Sequence, residues 1–203
     1  MKNMQRFLGF CLAIGLWLGY GMGGSVSWAS TIVIGPSDDG SVYPNGNVVT
    51  IQYLLASITI QGVVEFPMSS IASPITRAYL SVNPYGLPLW DLSVSMYGYE
   101  SSDGALTSSD YNAGTFLGTL MLPDRLNYGQ DAFFDVTSFL QTVGGPYVGF
   151  NLRTDAGTDV FSSLESNYGH PAQLTVTMVP EPSTVLLLLS GILGLVGITR
   201  IRA

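Results

Sequence analysis

The chain has 203 residues, 47% of them apolar and only 10% charged, with a formal net charge of −7. That length accommodates one ordinary domain plus targeting segments. Between residues 30 and 179 three arginines (Arg77, Arg125, Arg153) face thirteen carboxylates with no lysine, a formal charge of −10 that repels phosphate backbones and excludes nucleic acid as a partner.

Residues 1–29 read as a secretory signal peptide. Lys2 and Arg6 form the basic start, Phe7 to Tyr20 is the apolar stretch, and Ser27-Trp28-Ala29 places small residues at the −3 and −1 positions. Cleavage is expected between Ala29 and Ser30. An uncleaved first membrane helix is the alternative. Cys11 is the only cysteine; it follows the bulky Phe10 and stands too early for a lipoprotein box. It leaves with the signal peptide, so an exported domain without disulfides must rest on its core.

From residue 30 to 179 short β-prone runs are separated by Gly, Pro, Asn, Asp and Ser, with no long helix and no internal repeat. Thr31 to Ile34 is a first strand. Pro36-Ser37-Asp38-Asp39-Gly40 and Asn45-Gly46-Asn47 are turn clusters. Val48 to Leu55 and Gly62 to Phe66 are strands. In Arg77 to Val82 the residues Ala78, Leu80 and Val82 share one face. Leu92, Val94 and Met96 repeat the pattern. Residues 100–114 form a long polar loop, and Thr115 to Leu122 returns as a strand. Asp135 to Leu140 is a helical turn capped by Asp135 or Thr137. Tyr147 to Arg153 turns Val148, Phe150 and Leu152 inward, Val160 to Ser163 is short, and Leu174, Val176 and Met178 face inward on the last strand. About nine strands and one helical turn over this length imply an all-β domain at 30–179, a two-sheet antiparallel, jelly-roll-like sandwich.

Catalytic constellations are thin. The single histidine, His170, precedes Pro171 in a loop and lacks the Gly-x-Ser-x-Gly elbow of a serine hydrolase. With one histidine and no cysteine, the domain lacks a zinc ligand set, and no cofactor is expected. Carboxylates are plentiful: Asp155 and Asp159 with Glu165, or Asp38 with Asp39, suit Ca²⁺, although Asp-rich turns are commonly turns alone. Two carboxylates also suit glycoside hydrolysis, whose required spacing a sequence does not supply. Tyr79, Trp90, Tyr97, Tyr99, Tyr111, Tyr128, Tyr147 and Tyr168 lie outward or in loops, where they serve sugar stacking or ordinary β propensity.

Beyond Val179 the character changes abruptly. Val185 to Ile198 carries no charge and spans about 21 Å as a helix, short against a hydrocarbon layer of roughly 30 Å. Extended to 183–199 it approaches a transmembrane helix. Pro180 and Pro182 mark its beginning, and Arg200 and Arg202 stop it on the cytoplasmic side, which puts Pro180-Glu181-Pro182 at the outer face. A buried core helix would carry a polar face, and this run has none. A generic C-terminal anchor is the plainer reading. Val179-Pro180-Glu181-Pro182-Ser183-Thr184, then a short Leu/Gly-rich helix, then terminal arginines, resembles in order the PEP-CTERM sorting signal of Gram-negative bacteria. The resemblance implies an exosortase as partner, with Pro180, Glu181 and Pro182 as recognition residues within a sorting segment at 180–203.

A second resemblance covers most of residues 38–179. Gly62 to Ile71, then Ile75-Thr76-Arg77-Ala78-Tyr79-Leu80, then Phe134-Asp135-Val136-Thr137, Gly149-Phe150-Asn151-Leu152, Phe161 to Glu165 and Pro171 to Leu174 are similar in order to DNRLRE-type extracellular jelly-roll modules, although the namesake letters are absent. That similarity implies a fold and does not establish a function. Taken together, the sequence leads to the expectation of an exported, non-enzymatic cell-surface or extracellular-matrix protein. The precursor is held at the inner membrane, and its structural or adhesive role is linked to exopolysaccharide or biofilm. A carbohydrate-binding module is the alternative, and a glycan hydrolase stands behind it.

Overall fold

A computed structural model describes residues 29–71, 74–85, 93–121, 130–167 and 169–179. The proposed signal segment before Ala29, the sorting segment 180–203 and the aromatics Trp90, Tyr128 and Tyr168 lie outside the described residues. In chain order the elements are β1 (Ser30–Ile34), β2 (Asp38–Val42), β3 (Val48–Val49), β4 (Tyr53–Ser57), β5 (Gln61–Pro67), β6 (Ile75–Val82), β7 (Ser93–Ser101), a 3₁₀ turn (Ser108–Asp110), β8 (Thr115–Met121), β9 (Ala132–Asp135), the helical turn α1 (Thr137–Leu140), β10 (Tyr147–Thr154), β11 (Thr158–Ser162) and β12 (Gln173–Met178).

The domain is a sandwich-like stack of antiparallel sheets, and residues Ala29–Val179 form one compact unit. One sheet has the order β1-β12-β6-β9, a second β3-β2-β5-β10-β7-β8, and a small third sheet pairs β11 with β4. Period-2 alternation dictates which side chains meet between them. Ala78, Leu80 and Val82 of β6 and Leu174 and Val176 of β12 are fully buried. They pack in one cluster with Val64 and Phe66 of β5, Val94 and Met96 of β7, and Val148, Phe150 and Leu152 of β10. Leu54, Ala56 and Phe161 of the third sheet join the same cluster. Phe150 lies at its centre, edge-on to Phe66 at 6.0 Å and to Phe139 at 5.7 Å. Each such side chain contributes about 1.5–3 kcal/mol through burial, which is how a domain without disulfides holds together.

Three expectations need correction. Asp38 to Gly40 is strand rather than turn, because β2 pairs with β5 from Asp38↔Glu65 to Val42↔Gln61. The adjacent carboxylates, pointing to opposite faces, take backbone N–H groups from two different loops: Leu106 N donates to Asp38 at 3.0 Å and Leu164 N to Asp39 at 2.9 Å. The run Val48 to Leu55 is two strands: β3 pairs with β2, and β4 crosses to pair with β11. β9, unforeseen, closes the edge of the first sheet against β6. At α1 the cap position is Val136, while Asp135 accepts the Thr137 N–H at 2.9 Å as expected of a capping carboxylate. Thr137 also exchanges hydrogen bonds with the Ala78 backbone, fastening α1 to β6.

Candidate functional site

The outer face of the six-stranded sheet, opposite the core, carries the densest polar chemistry. Alternation turns Gln61, Val63 and Glu65 of β5 outward, with Tyr97, Tyr99 and Ser101 of β7 and Gly149, Asn151 and Arg153 of β10 on the same face. These residues are not open to solvent. Val42, Val63, Glu65 and Asn151 have no exposed surface, and Gln61 keeps 6%. The cover is the segment 102–114, which crosses the face as a strap. Leu106 packs over Gly40, where a Cβ would lie 3.1 Å from its methyl group.

The strap is tied by hydrogen bonds along its length. Gln61 Nε2 donates to Asn112 Oδ1 at 2.6 Å, and Asn112 N donates back to Gln61 Oε1 at 2.8 Å. Asn151 Nδ2 donates to Gln61 Oε1 at 2.7 Å and to the Asp110 carbonyl at 2.8 Å. An Arg153 guanidinium N–H donates to the Ala113 carbonyl at 2.8 Å. Asn112 holds a left-handed φ of 62°, a conformation Asn tolerates, which lets its side chain and backbone N–H both turn to Gln61. Within the strap Thr107 and Asp110 close a capping box around the 3₁₀ turn, with Thr107 N donating to Asp110 at 2.6 Å.

At the near end of the strap stands Glu65. Tyr99 Oη donates to its Oε1 at 2.9 Å and Ser101 Oγ to its Oε2 at 3.0 Å. Tyr99 reaches it by crossing β10 at Gly149, which supplies the space: a Cβ there would clash with the hydroxyl edge of the tyrosine ring. Burial, partly offset by these two hydrogen bonds, pushes Glu65 up to about 7. Burial beside the same carboxylate drives the Tyr99 phenol well above its usual range. Beyond the strap the face opens. The Arg153 guanidinium lies 3.7 Å over the Tyr97 ring, and Tyr97 meets Phe116 edge-on at 5.6 Å. Phe116 is 57% exposed, and Ser95 and Thr119 hydrogen-bond to each other at 3.1 Å on these same two strands.

Other candidate residues fall elsewhere. His170 Nε2 contacts Asp131 at 3.0 Å, and Nδ1 contacts the Pro171 carbonyl at 3.0 Å. Asp131 also accepts Asn83 Nδ2 at 2.8 Å, so the histidine belongs to a loop tie, and among the described residues no serine hydroxyl bonds to its ring. Asp38 and Asp39 point to opposite faces of β2. Asp155 and Glu165 are exposed, while Asp159 is buried, and burial alone lifts it to about 6. Asp39 rises to about 7, mainly through burial, and its Oδ1 and Asp159 Oδ2 have no hydrogen-bond partner. Among the described residues no three His, Cys, Asp or Glu side chains gather as a metal group. Tyr79 lies under Arg77 at 5.5 Å on the other sheet, and Tyr147 packs on Gly104 at the strap. An open groove of about 800 Å³ at Met68, Ile71, Ile75, Leu140 and Val143 is mostly apolar.

Tyr97 and Tyr99, two of the aromatics that the sequence places outward or in loops, share one face of β7. Their roles differ: Tyr99 is spent on Glu65, and Tyr97 supports Arg153. Gln61, Glu65 and Asn151 were missed as a network. The available signal was polar residues at outward positions of three strands together with a long loop carrying one leucine. Among the described residues no helix is long and apolar enough to cross a membrane. No family model matches the chain, and a search of curated proteins finds no match.

Proposed function

We propose that this chain is an exported surface or matrix protein of a Gram-negative bacterium, sorted by an exosortase, whose jelly-roll-like domain has a structural or adhesive, non-enzymatic role linked to exopolysaccharide. The observation that carries the reading is the ordered C-terminal set: Pro180-Glu181-Pro182, an apolar stretch over 183–199, then Arg200 and Arg202. The domain supports it in one respect. Several of its buried polar side chains, Gln61, Asn151 and Asp39 among them, tie loops to sheets, and the large groove is lined by apolar rather than titratable groups among the described residues. The test is intact mass and fractionation of the native protein with and without its exosortase. A product starting at Ser30 and ending between Val179 and Thr184, outside the inner membrane and dependent on the exosortase, is the expected outcome. A full-length C-terminus retained in the membrane in both strains makes the tail a plain anchor and overturns the sorting reading.

A second reading, a carbohydrate-binding module, is favoured by Tyr97, Phe116 and Arg153, where an exposed ring and a stacked guanidinium stand beside two hydroxyl side chains. Rings of this kind stack on the apolar faces of sugars, and guanidinium groups hydrogen-bond to their oxygens. Retention on polysaccharide columns, lost in Phe116→Ala and Tyr97→Ala, supports it. Passage of the wild-type protein without delay removes it.

A further inference from the structure

The strap 102–114 hides apolar and hydrogen-bonding surface with a carboxylate beneath its near end. We infer that this strap is a pH-gated cover of the outer face, held shut by uncharged Glu65 and loosened when Glu65 ionises.

The geometry carries the argument in three steps. Glu65 has no exposed surface, and its carboxyl oxygens are hydrogen-bonded to two neutral hydroxyls, Tyr99 Oη and Ser101 Oγ, rather than to a cation. One of those hydroxyls, Ser101 Oγ, sits where the strap leaves β7; it also contacts Asp103 Oδ1 and receives the Gly104 N–H, both at 3.4 Å. The groups that face Glu65 are mostly acidic. From β2 comes Asp38, its register partner; from β7, Tyr99; from the strap, Asp103 and Asp110. β10 presents Gly149 opposite Glu65, with Tyr147 one row toward the sheet end. Arg153, further along β10, is the cation of this face among the described residues. It is committed to Asn151, Ala113 and the Tyr97 ring. A charge on Glu65 therefore appears in a buried place between strap carboxylates, and lifting the strap is the movement that hydrates it.

Linkage fixes the direction. Glu65 rises to about 7 under the strap and returns to the ordinary carboxylate range near 4.5 once hydrated. Raising the pH through this interval favours the open form, by about tenfold to a hundredfold between pH 5 and 8. Opening uncovers Val42, Val63 and the Gln61–Asn151 pair, all buried in the closed form.

Hydrogen exchange of the full chain in detergent micelles, corrected for intrinsic rates, tests the inference. The strap amides of 102–114 are compared with those of β12 at pH 5 and pH 8. The expected result is a rise in strap opening of at least tenfold relative to β12, abolished in Glu65→Gln. Ser101→Ala, which cuts the tie and keeps the carboxyl, is expected to speed strap exchange at pH 5. Strap and β12 responding alike, or Glu65→Gln keeping the full rise, overturns it. Should Glu65→Gln fail to fold, unchanged strap exchange in Ser101→Ala at pH 5 overturns it as well.

Discussion

β5 is buried on both sides, and the two sides are buried by different chemistry. Inward, Val64 and Phe66 join Phe150 and the aliphatic side chains of strands from all three sheets in a cluster without a polar partner to satisfy. Outward, Gln61, Val63 and Glu65 lie under the strap, where directed hydrogen bonds hold Gln61 and Glu65 beside the buried Val63. The inner side is tolerant of detail and strong in sum, since apolar burial is non-directional. The outer side depends on each partner being present, since an unpaired buried polar group costs its full desolvation. The difference between these sides shows how a domain can be rigid in one layer and adjustable in the next.

The largest blow to the inner side is Phe150→Ala. It removes a fully buried ring that touches two others and is expected to cost about 3–5 kcal/mol in urea unfolding. A loss below about 1 kcal/mol would move the centre of the core away from Phe150.

Next in size is pH. Asp39 and Glu65 are raised to about 7 and Asp159 to about 6, each chiefly by burial. An acid raised in the folded state contributes stability that is fully present below its unfolded pKa and is lost as pH rises through the folded value. The window therefore runs from about pH 4 to 7, and the domain is expected to be more stable at pH 4.5 than at pH 8, by on the order of a few kcal/mol in sum. Thermal unfolding across this range checks the sign. A melting temperature that climbs toward pH 8 contradicts the burial of these three groups.

Asn151→Ala attacks the outer side alone. It leaves the Asp110 carbonyl and part of Gln61 without their donor and is expected to cost about 1–3 kcal/mol, with strap exchange rising more than that of β12. Smallest is Phe116→Ala. With 57% of its surface exposed, its loss is expected to shift stability by under about 1 kcal/mol while abolishing any polysaccharide retention. A large destabilisation there would make Phe116 a packing residue and weaken the carbohydrate reading.

The inner layer was legible in the sequence because its signal is local. Ala78, Leu80 and Val82, then Val148, Phe150 and Leu152, then Leu174, Val176 and Met178 alternate with period 2, and these residues face the core in the structure. The outer layer was not legible, because nothing local distinguishes a solvated Gln61 or Asn151 from one roofed by a loop some forty to fifty residues away in the chain. β2 escaped for the same reason. Asp38-Asp39-Gly40 reads as a turn until two distant loops supply the N–H groups that let both carboxylates sit beside a strand. The candidate site was half visible: the tyrosines were noticed, and the carboxylate that employs one of them was not.

The pairing of β1 with β12 has a mechanical consequence. Ser30 lies opposite Met178, so the two ends of the domain leave side by side from neighbouring antiparallel strands. The hydrogen bonds between such strands run across the strand direction. Tension applied between Ser30 and Met178 would therefore break them one pair at a time, from Ser30 to Ile34, as a zip opens. Tension between Met178 and a ligand gripping the outer face would instead be shared by several strands in shear. A tether attached only at the C-terminal side would thus bear far more force before yielding than one that also pulls on the N-terminal strand.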